Sequence, residues 1–373
     1  MAWRSKANEY TYEIAQAKVN KWKEFVEKAY QKTIWQVQKY VANTPTPAFV
    51  PTLNEQAATN DQKVDAFQKA FFPKPPAADL TDISTATYPE EVPCKTQITL
   101  RQVHNAINSL APDKTPGPDE ITNRVLKNTL PTIERHVCAL IQVSLNRGHF
   151  PKLFKHSTTV VLRKPSKPDY TKANAYRPIA LENTLGKVLE SVIADVLSYL
   201  SETHELLPAQ HYGGRPGRSV EDAMMILSES IHKAWKEKKV YTAVFMDVAG
   251  AFNNVHHKRL THNLRMRRVP AGIVHWVGSF LQGRSTQLQF NGTRSKPIPT
   301  PAGIPQGSPL SPLLYMYYNA DLLDIPEGPG TSLGFIDDVV YGAQGQTSTE
   351  NARKLKTHFK RGGEVEEETW GAI

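Results

Sequence analysis

The sequence predicts an α+β fold, and three observations carry that expectation. Short β-branched runs interleave with longer amphipathic ones from about residue 95 onward, without strict β-α-β alternation. Asn291-Gly292 stands between two strand-like segments as a two-residue hairpin turn, so part of the sheet must be antiparallel. No internal repeat runs through the chain, which excludes a solenoid. A length of 373 residues predicts two or three units, and 40% hydrophobic with 22% charged residues excludes wholesale disorder.

Taken in order, the first element is a helix. Between Tyr10 and Val41 the residues Ile14, Trp22, Phe25, Val26, Ala29, Ile34, Val37 and Val41 recur every three or four positions, and the helix should stop near Asn43, ahead of Pro45 and Pro47. Trp22 and Trp35 are expected to pack on it rather than stack on bases. Val41–Gln97 holds eight of the 27 prolines and reads as a linker with one short helix, Asp61–Phe72, which puts a boundary near residue 95. Thr99-Leu100-Arg101-Gln102 is a capping-box start for a helix to Leu110. Pro131 suits the first turn of a second helix, and Gly148 suits its exit.

Further on, strands are expected at Thr158–Leu162 and Tyr241–Asp247, and helices at Asn183–Ser201, Val220–Lys238, His256–Arg267 and Ala271–Leu281. Met224-Met225 read as core. Thr286–Phe290 and Thr293–Ile298 flank the hairpin turn, Pro309–Leu323 is helical, and Leu333–Ile336 and Val339–Tyr341 are strands joined through Asp337-Asp338.

Lys and Arg number 45 against 36 Asp and Glu, a net charge of +9, which favours a polyanionic partner over a small neutral substrate. Two cysteines, Cys94 and Cys138, neither staple a secreted domain nor fill a Cys-rich zinc site. No apolar run approaches the roughly 20 residues of a membrane span, and the first residues lack a signal core. The expectation is a soluble intracellular protein with no membrane partner.

Three acids stand out. Asp247 ends an apolar strand, where a lone charge is costly, and Asp337 and Asp338 sit at an expected hairpin tip. Each alone is more often a cap or a surface turn. Brought together by folding, the three would repel one another unless hard divalent cations neutralised them, and a pair of Mg2+ ions can activate a hydroxyl and stabilise a leaving phosphate oxygen. Around them, Ala302–Pro309 is a Gly/Pro loop opening a helix, and Lys152–Arg177 carries seven basic residues against one acid. Arg215 and Arg218 in Gly213-Gly214-Arg215-Pro216-Gly217-Arg218-Ser219 have the character of phosphate-contacting arginines. His256-His257 are expected in solvated or capping roles, and Ser308 lacks the surroundings of a nucleophile.

Six stretches now fall in order: Lys114-Thr115-Pro116-Gly117-Pro118-Asp119, Tyr176-Arg177-Pro178-Ile179, Gly214-Arg215-Pro216-Gly217-Arg218-Ser219, Phe245-Met246-Asp247-Val248-Ala249-Gly250-Ala251-Phe252, Gly303-Ile304-Pro305-Gln306-Gly307-Ser308 and Phe335-Ile336-Asp337-Asp338. Together they resemble the reverse transcriptase of non-LTR (LINE-like) retrotransposons, over about two thirds of the chain.

That resemblance implies the fingers and palm of a right-hand polymerase, with an antiparallel palm sheet backed by helices. It implies a helical and Pro-rich connector over 1–95, fingers and the N-terminal part of the domain over 96–243, the palm over 244–345 and a truncated tail over 346–373. It further implies that Asp247, Asp337 and Asp338 are catalytic and hold two Mg2+ ions, with Mn2+ as a substitute. Arg163, Lys164 and Arg177 would bind the triphosphate, and Gln306 and Gly307 would line the templating pocket. Phe252, five residues after Asp247, would leave no room for a ribose 2′-OH, so deoxynucleotides are expected. The partners implied are an RNA template, a DNA primer and dNTP, with no protein partner indicated, and the location implied is the nucleus.

The thumb expected after the Asp-Asp hairpin has no counterpart in the remaining residues. Lys354, Lys356 and Lys360 stand as candidates for the family's proton-donating Lys, and Glu364–Glu368 read as a solvated tail. Two other functions stay open at this level: an inactive copy that only binds nucleic acid, and an RNA-directed RNA polymerase, which Phe252 disfavours.

Overall fold

The computed structural model describes residues 2–27, 49–73, 80–248, 250–323 and 330–356. It divides into two units, residues 1–49 and 50–373. In the first unit α1 (Ala2–Glu27) covers the opening of the predicted helix. Trp22, expected to pack, is 42% exposed on it. Trp35, Lys360 and Glu364–Glu368 lie outside the described residues.

In chain order the second unit contains α2 (Asn60–Phe71), α3 (Thr81–Thr85), α4 (Leu100–Asn108), α5 (Asn123–Asn146), β1 (His156–Arg163), β2 (Tyr176–Leu181), α6 (Thr184–Thr203), α7 (Val220–Lys236) and β3 (Val240–Asp247). It continues with α8 (His257–Met266), α9 (Ala271–Leu281), β4 (Ser285–Phe290), β5 (Thr293–Arg294), β6 (Ile298–Pro299), α10 (Ser311–Asn319), β7 (Gly330–Phe335) and β8 (Asp338–Gly345). Reciprocal capping boxes start α2 at Thr59/Gln62, α4 at Thr99/Gln102 and α7 at Ser219/Asp222, satisfying orphan N–H groups at each entry. Gly148, at φ +57, closes α5 in a Schellman motif, its N–H on the Leu145 carbonyl and that of His149 on Ser144.

Two sheets result. One is mixed, in the order β2-β1-β4-β5 with β6 also on β4, and its β1–β4 pair is parallel. The other is wholly antiparallel, in the order β3-β8-β7, and α7 packs on it. Asn291 and Gly292, at φ 50 and 72, make the type I′ turn between β4 and β5. A large core joins α4, α5, α6, α8, α9 and α10, with Trp276, Phe150 and Phe280 fully buried.

Four expectations are corrected. The compact unit begins at Val50, not near residue 95, because Phe67 and Phe71 of α2 are buried with Tyr176 and Phe290 of the mixed sheet. Pro131 lies inside α5, whose N-cap is Thr122. Leu126, Leu130, Val137 and Ile141 continue one buried stripe across it, and that packing outweighs the lost backbone bond. Met224 and Met225 are exposed, since α7 buries only Leu227 and Ala234. The β4–β6 ribbon, expected with the palm block, joins β1 instead.

Candidate active site

Antiparallel pairing sets Asp247, the last residue of β3, directly opposite Asp338, the first of β8. Residues so paired have Cα atoms about 4.5–5.5 Å apart and side chains on one face. Phe335 also pairs with Asp338, so the turn residues are Ile336 and Asp337 rather than the two acids. Asp337 is therefore the tip, and Asp338 belongs to the ladder. The strand carrying Asp247 is half-open, with Phe245 67% exposed, so the cost of a charge there is smaller than its apolar sequence suggests. Partial burial, then the facing charges of Asp337 and Asp247, push the Asp338 carboxyl above the usual range. An all-carboxylate set suits a hard divalent cation, which would relieve that repulsion. Among the described residues, however, no three His, Cys, Asp or Glu side chains are already closed into a metal cluster.

The basic residues divide by strand periodicity. Leu162 pairs with Arg177 and Arg163 with Tyr176, while the Lys164 N–H continues the ladder to the Ala175 carbonyl. Lys164 and Arg177 thus share one face. Burial, then Lys167 and Arg177, push the Lys164 ammonium down, and Asp247 opposes them, so the lysine lies within electrostatic reach of the acid. Arg163 is on the other face, its guanidinium 4.7 Å from the centre of the Tyr170 ring. It is separated from the two cations with which it was grouped.

The Gly/Pro loop is zipped onto the segment after Asp247. Gly303 N–H donates to Val255 O at 2.9 Å, Ile304 N–H to Phe252 O at 2.8 Å, and the Gln306 amide to Asn253 Oδ1 at 3.2 Å. On its far side Gln306 O accepts from Ala180 N at 2.8 Å, and a Cβ on Gly307 would lie 2.5 Å from Ala180 O. Only glycine permits that approach. Phe252 stacks on Tyr315, ring centres 5.3 Å apart and planes 7° apart. His256 caps α8, its ring accepting from Arg259 N, as expected. His257 is mostly buried with Nε2 2.8 Å from Gly303 O, and burial pushes its ring below the usual value. His257 was expected in a solvated or capping role and is instead buried against the loop, while Asn253 and Tyr315 were missed by sequence reading, because their partners lie tens of residues away.

Of the two motif arginines, Arg215 turns inward. Arg215 is 7% exposed, grips Glu202 bidentately at 2.7 and 2.9 Å, and donates to the carbonyls of Pro208 and His211. With its nitrogens so engaged it has no fork to offer a phosphate. Arg218 donates to the Ala209 and His211 carbonyls and stands over Tyr212. Both were expected on nucleic acid; Arg215 instead braces residues 208–211, while Arg218 is half-buried with one guanidinium nitrogen on carbonyls of that segment. Lys354 likewise pairs with Glu350 and Gln344 O. Burial first, then the charges of Arg215, Arg267 and Arg218, push the His211 ring down to about 4, against an opposing pull from the Ile336 backbone.

An antiparallel sheet presenting a strand-end acid against a hairpin pair, beside a second sheet carrying cations, suits the palm and fingers of a nucleic-acid polymerase, the fold that the family match implies. Residues 162–365 match the family model for reverse transcriptase (RNA-dependent DNA polymerase). The chain is 34% identical over 226 residues to a probable RNA-directed DNA polymerase from transposon BS of Drosophila melanogaster, covering 60% of this chain and 25% of that relative. It is 31% identical to the RNA-directed DNA polymerase from mobile element jockey of the same fly, covering 60% and 24%. To a retrovirus-related Pol polyprotein from type-1 retrotransposable element R1 of Bradysia coprophila it is 26% identical, covering 94% and 35%. The chain belongs to the reverse transcriptase family, on its non-LTR, LINE-like side. It spans 24–35% of the length of these relatives. The family is one of divalent-metal-dependent nucleotidyltransferases. No described helix is long and apolar enough to cross a membrane.

Proposed function

We propose that the chain carries the nucleotidyl-transfer site of an RNA-directed DNA polymerase, extending a DNA primer with dNTP on an RNA template, and that it works in the nucleus. The observation that carries this reading is the pairing of Asp247 with Asp338 next to Asp337 in the turn. These three carboxylates would hold two Mg2+ ions, or Mn2+ in their place, which when bound stabilise charge on the attacking and leaving oxygens. Lys164, within electrostatic reach of Asp247, and Arg177 on the same strand face would hold the triphosphate, orienting its α-phosphorus toward the primer 3′-OH. Phe252, kept flat by Tyr315, closes the space beside the sugar where a 2′-OH would sit. Gln306 and Gly307, pinned between Asn253 and Ala180, form the floor under the templating base.

Primer extension on an RNA–DNA hybrid tests this. The parent chain should lengthen the primer with Mg2+, and Asp247→Ala or Asp337→Ala should lower the rate by about 10²–10³-fold or more. Undiminished synthesis by either variant would remove that residue from the site. A parent that shifts the hybrid in a gel without lengthening the primer would be a binder only.

A further inference from the structure

The turn between β7 and β8 carries a backbone anomaly. Ile336 has φ +59 and is the first central residue of the turn. A type II′ turn reserves that place for glycine, and a β-branched residue there is strained. Such a conformation persists only where its surroundings over-determine it, and three contacts do so. The Asn319 side-chain amide, at the end of α10 and 1% exposed, donates to Ile336 O at 2.7 Å. Gly213 lies so close that a Cβ on it would sit 2.7 Å from both Ile336 N and Ile336 Cγ1. Residues 210–212 run beside β7 as an added strand, Tyr212 N–H on Gly334 O at 2.7 Å and Gly334 N–H on Gln210 O at 3.0 Å. Arg215 pins that strand from behind, through the Pro208 and His211 carbonyls and Glu202.

We infer that Asn319 is a positioning residue for catalysis, one half of a clasp whose other half is the 210–215 strap, and that the clasp holds Ile336 in its strained conformation so that Asp337 is presented beside Asp247. The motif around Arg215 thereby serves the reaction mechanically and not by touching nucleic acid. This rests on the reading of Asp337 as a metal ligand. Asn319 acts only through the carbonyl of Ile336, and it is separated from Asp337 by that residue.

The test compares Asn319→Ala, and Asn319→Ser should the first not fold, in the parent and in an Ile336→Gly background. Melting curves first establish that each variant is folded. In the parent background, hydrogen exchange in the peptide over residues 330–341 should quicken at least about tenfold while peptides from α5 and α9 are unchanged. Mn2+ affinity, read by electron paramagnetic resonance without substrate, should fall about tenfold. The extension rate should fall about 10–100-fold, with KM for dNTP moving less than about twofold. In the Ile336→Gly background, where glycine adopts positive φ freely, losing Asn319 should change all three by less than about threefold. Unchanged exchange in a folded Asn319 variant, or equal losses in both backgrounds, would overturn the clasp. A parent that neither binds Mn2+ nor extends a primer, yet shows the predicted exchange pattern, would sink the polymerase reading and leave the clasp standing.

Discussion

Phe252 lies parallel to Tyr315, so its position is set by a ring that is itself fully buried. Shortening it should open the wall without moving the wall's support. Phe252→Val is expected to weaken discrimination against ribonucleotides by about 10–100-fold, measured as the ratio of kcat/KM for dNTP and rNTP. An unaltered ratio would show that sugar choice is made elsewhere. A second residue-scale feature lies beneath the Gly/Pro loop, where Glu190 is wholly buried and faces Glu182, which is paired with Arg284. Burial first, then the Glu182 charge, hold the Glu190 carboxyl well above its ordinary value near 4.5, against opposing pulls from Arg284, Lys187 and Ser308. A carboxyl raised in the folded state binds its proton more tightly there than in the unfolded chain. The contribution of this group to stability is therefore fully present in acid and is lost as pH rises from about 4.5 toward the folded value. Glu190→Gln should flatten that fall, melting higher than the parent at pH 8 and close to it at pH 4.5. Parallel melting curves across pH would contradict it.

Among elements, α2 departs furthest from its expected role. The helix itself was readable, but its burial was not, because the surface it covers is assembled from Tyr176 and Phe290, more than a hundred residues further along. Phe67 is fully buried, with ring centres 5.1 Å from Phe71, 5.2 Å from Tyr176 and 5.3 Å from Phe290. Phe67→Ala should cost about 3–5 kcal/mol, seen as a lower urea midpoint. A change near zero would mean that α2 is an appendage after all. Adjacent letters also misled at β1. Arg163 and Lys164 read as one basic pair, yet a period of two sends them to opposite faces. The helix start at Thr99, the helix exit at Gly148, the Asn291-Gly292 hairpin and the acid-bearing strands were legible because local chemistry decides them.

For the whole molecule, the opposition of Asp247 and Asp338 was inferred from motif order, since only the register of β3 on β8 makes the two neighbours. The inward turn of Arg215 was not legible, because its partner Glu202 sits on a different element and a surface arginine and a buried one are spelled alike. Net charge could not separate them either: +9 says that a polyanion is favoured, not which cations meet it.

Strand β3 has β8 on one side and no strand on the other among the described residues. Its outer edge carries the exposed side chains of Val240 and Phe245 and, beyond the Val240 carbonyl that Asn351 holds, can take an extended peptide, including the same strand of a neighbour. Concentrated solutions should then scatter light increasingly with time. A gatekeeping charge, Phe245→Lys, should suppress that clumping while leaving the melting temperature within a few degrees. Scattering that ignores the substitution would place the sticky surface on another part of the chain.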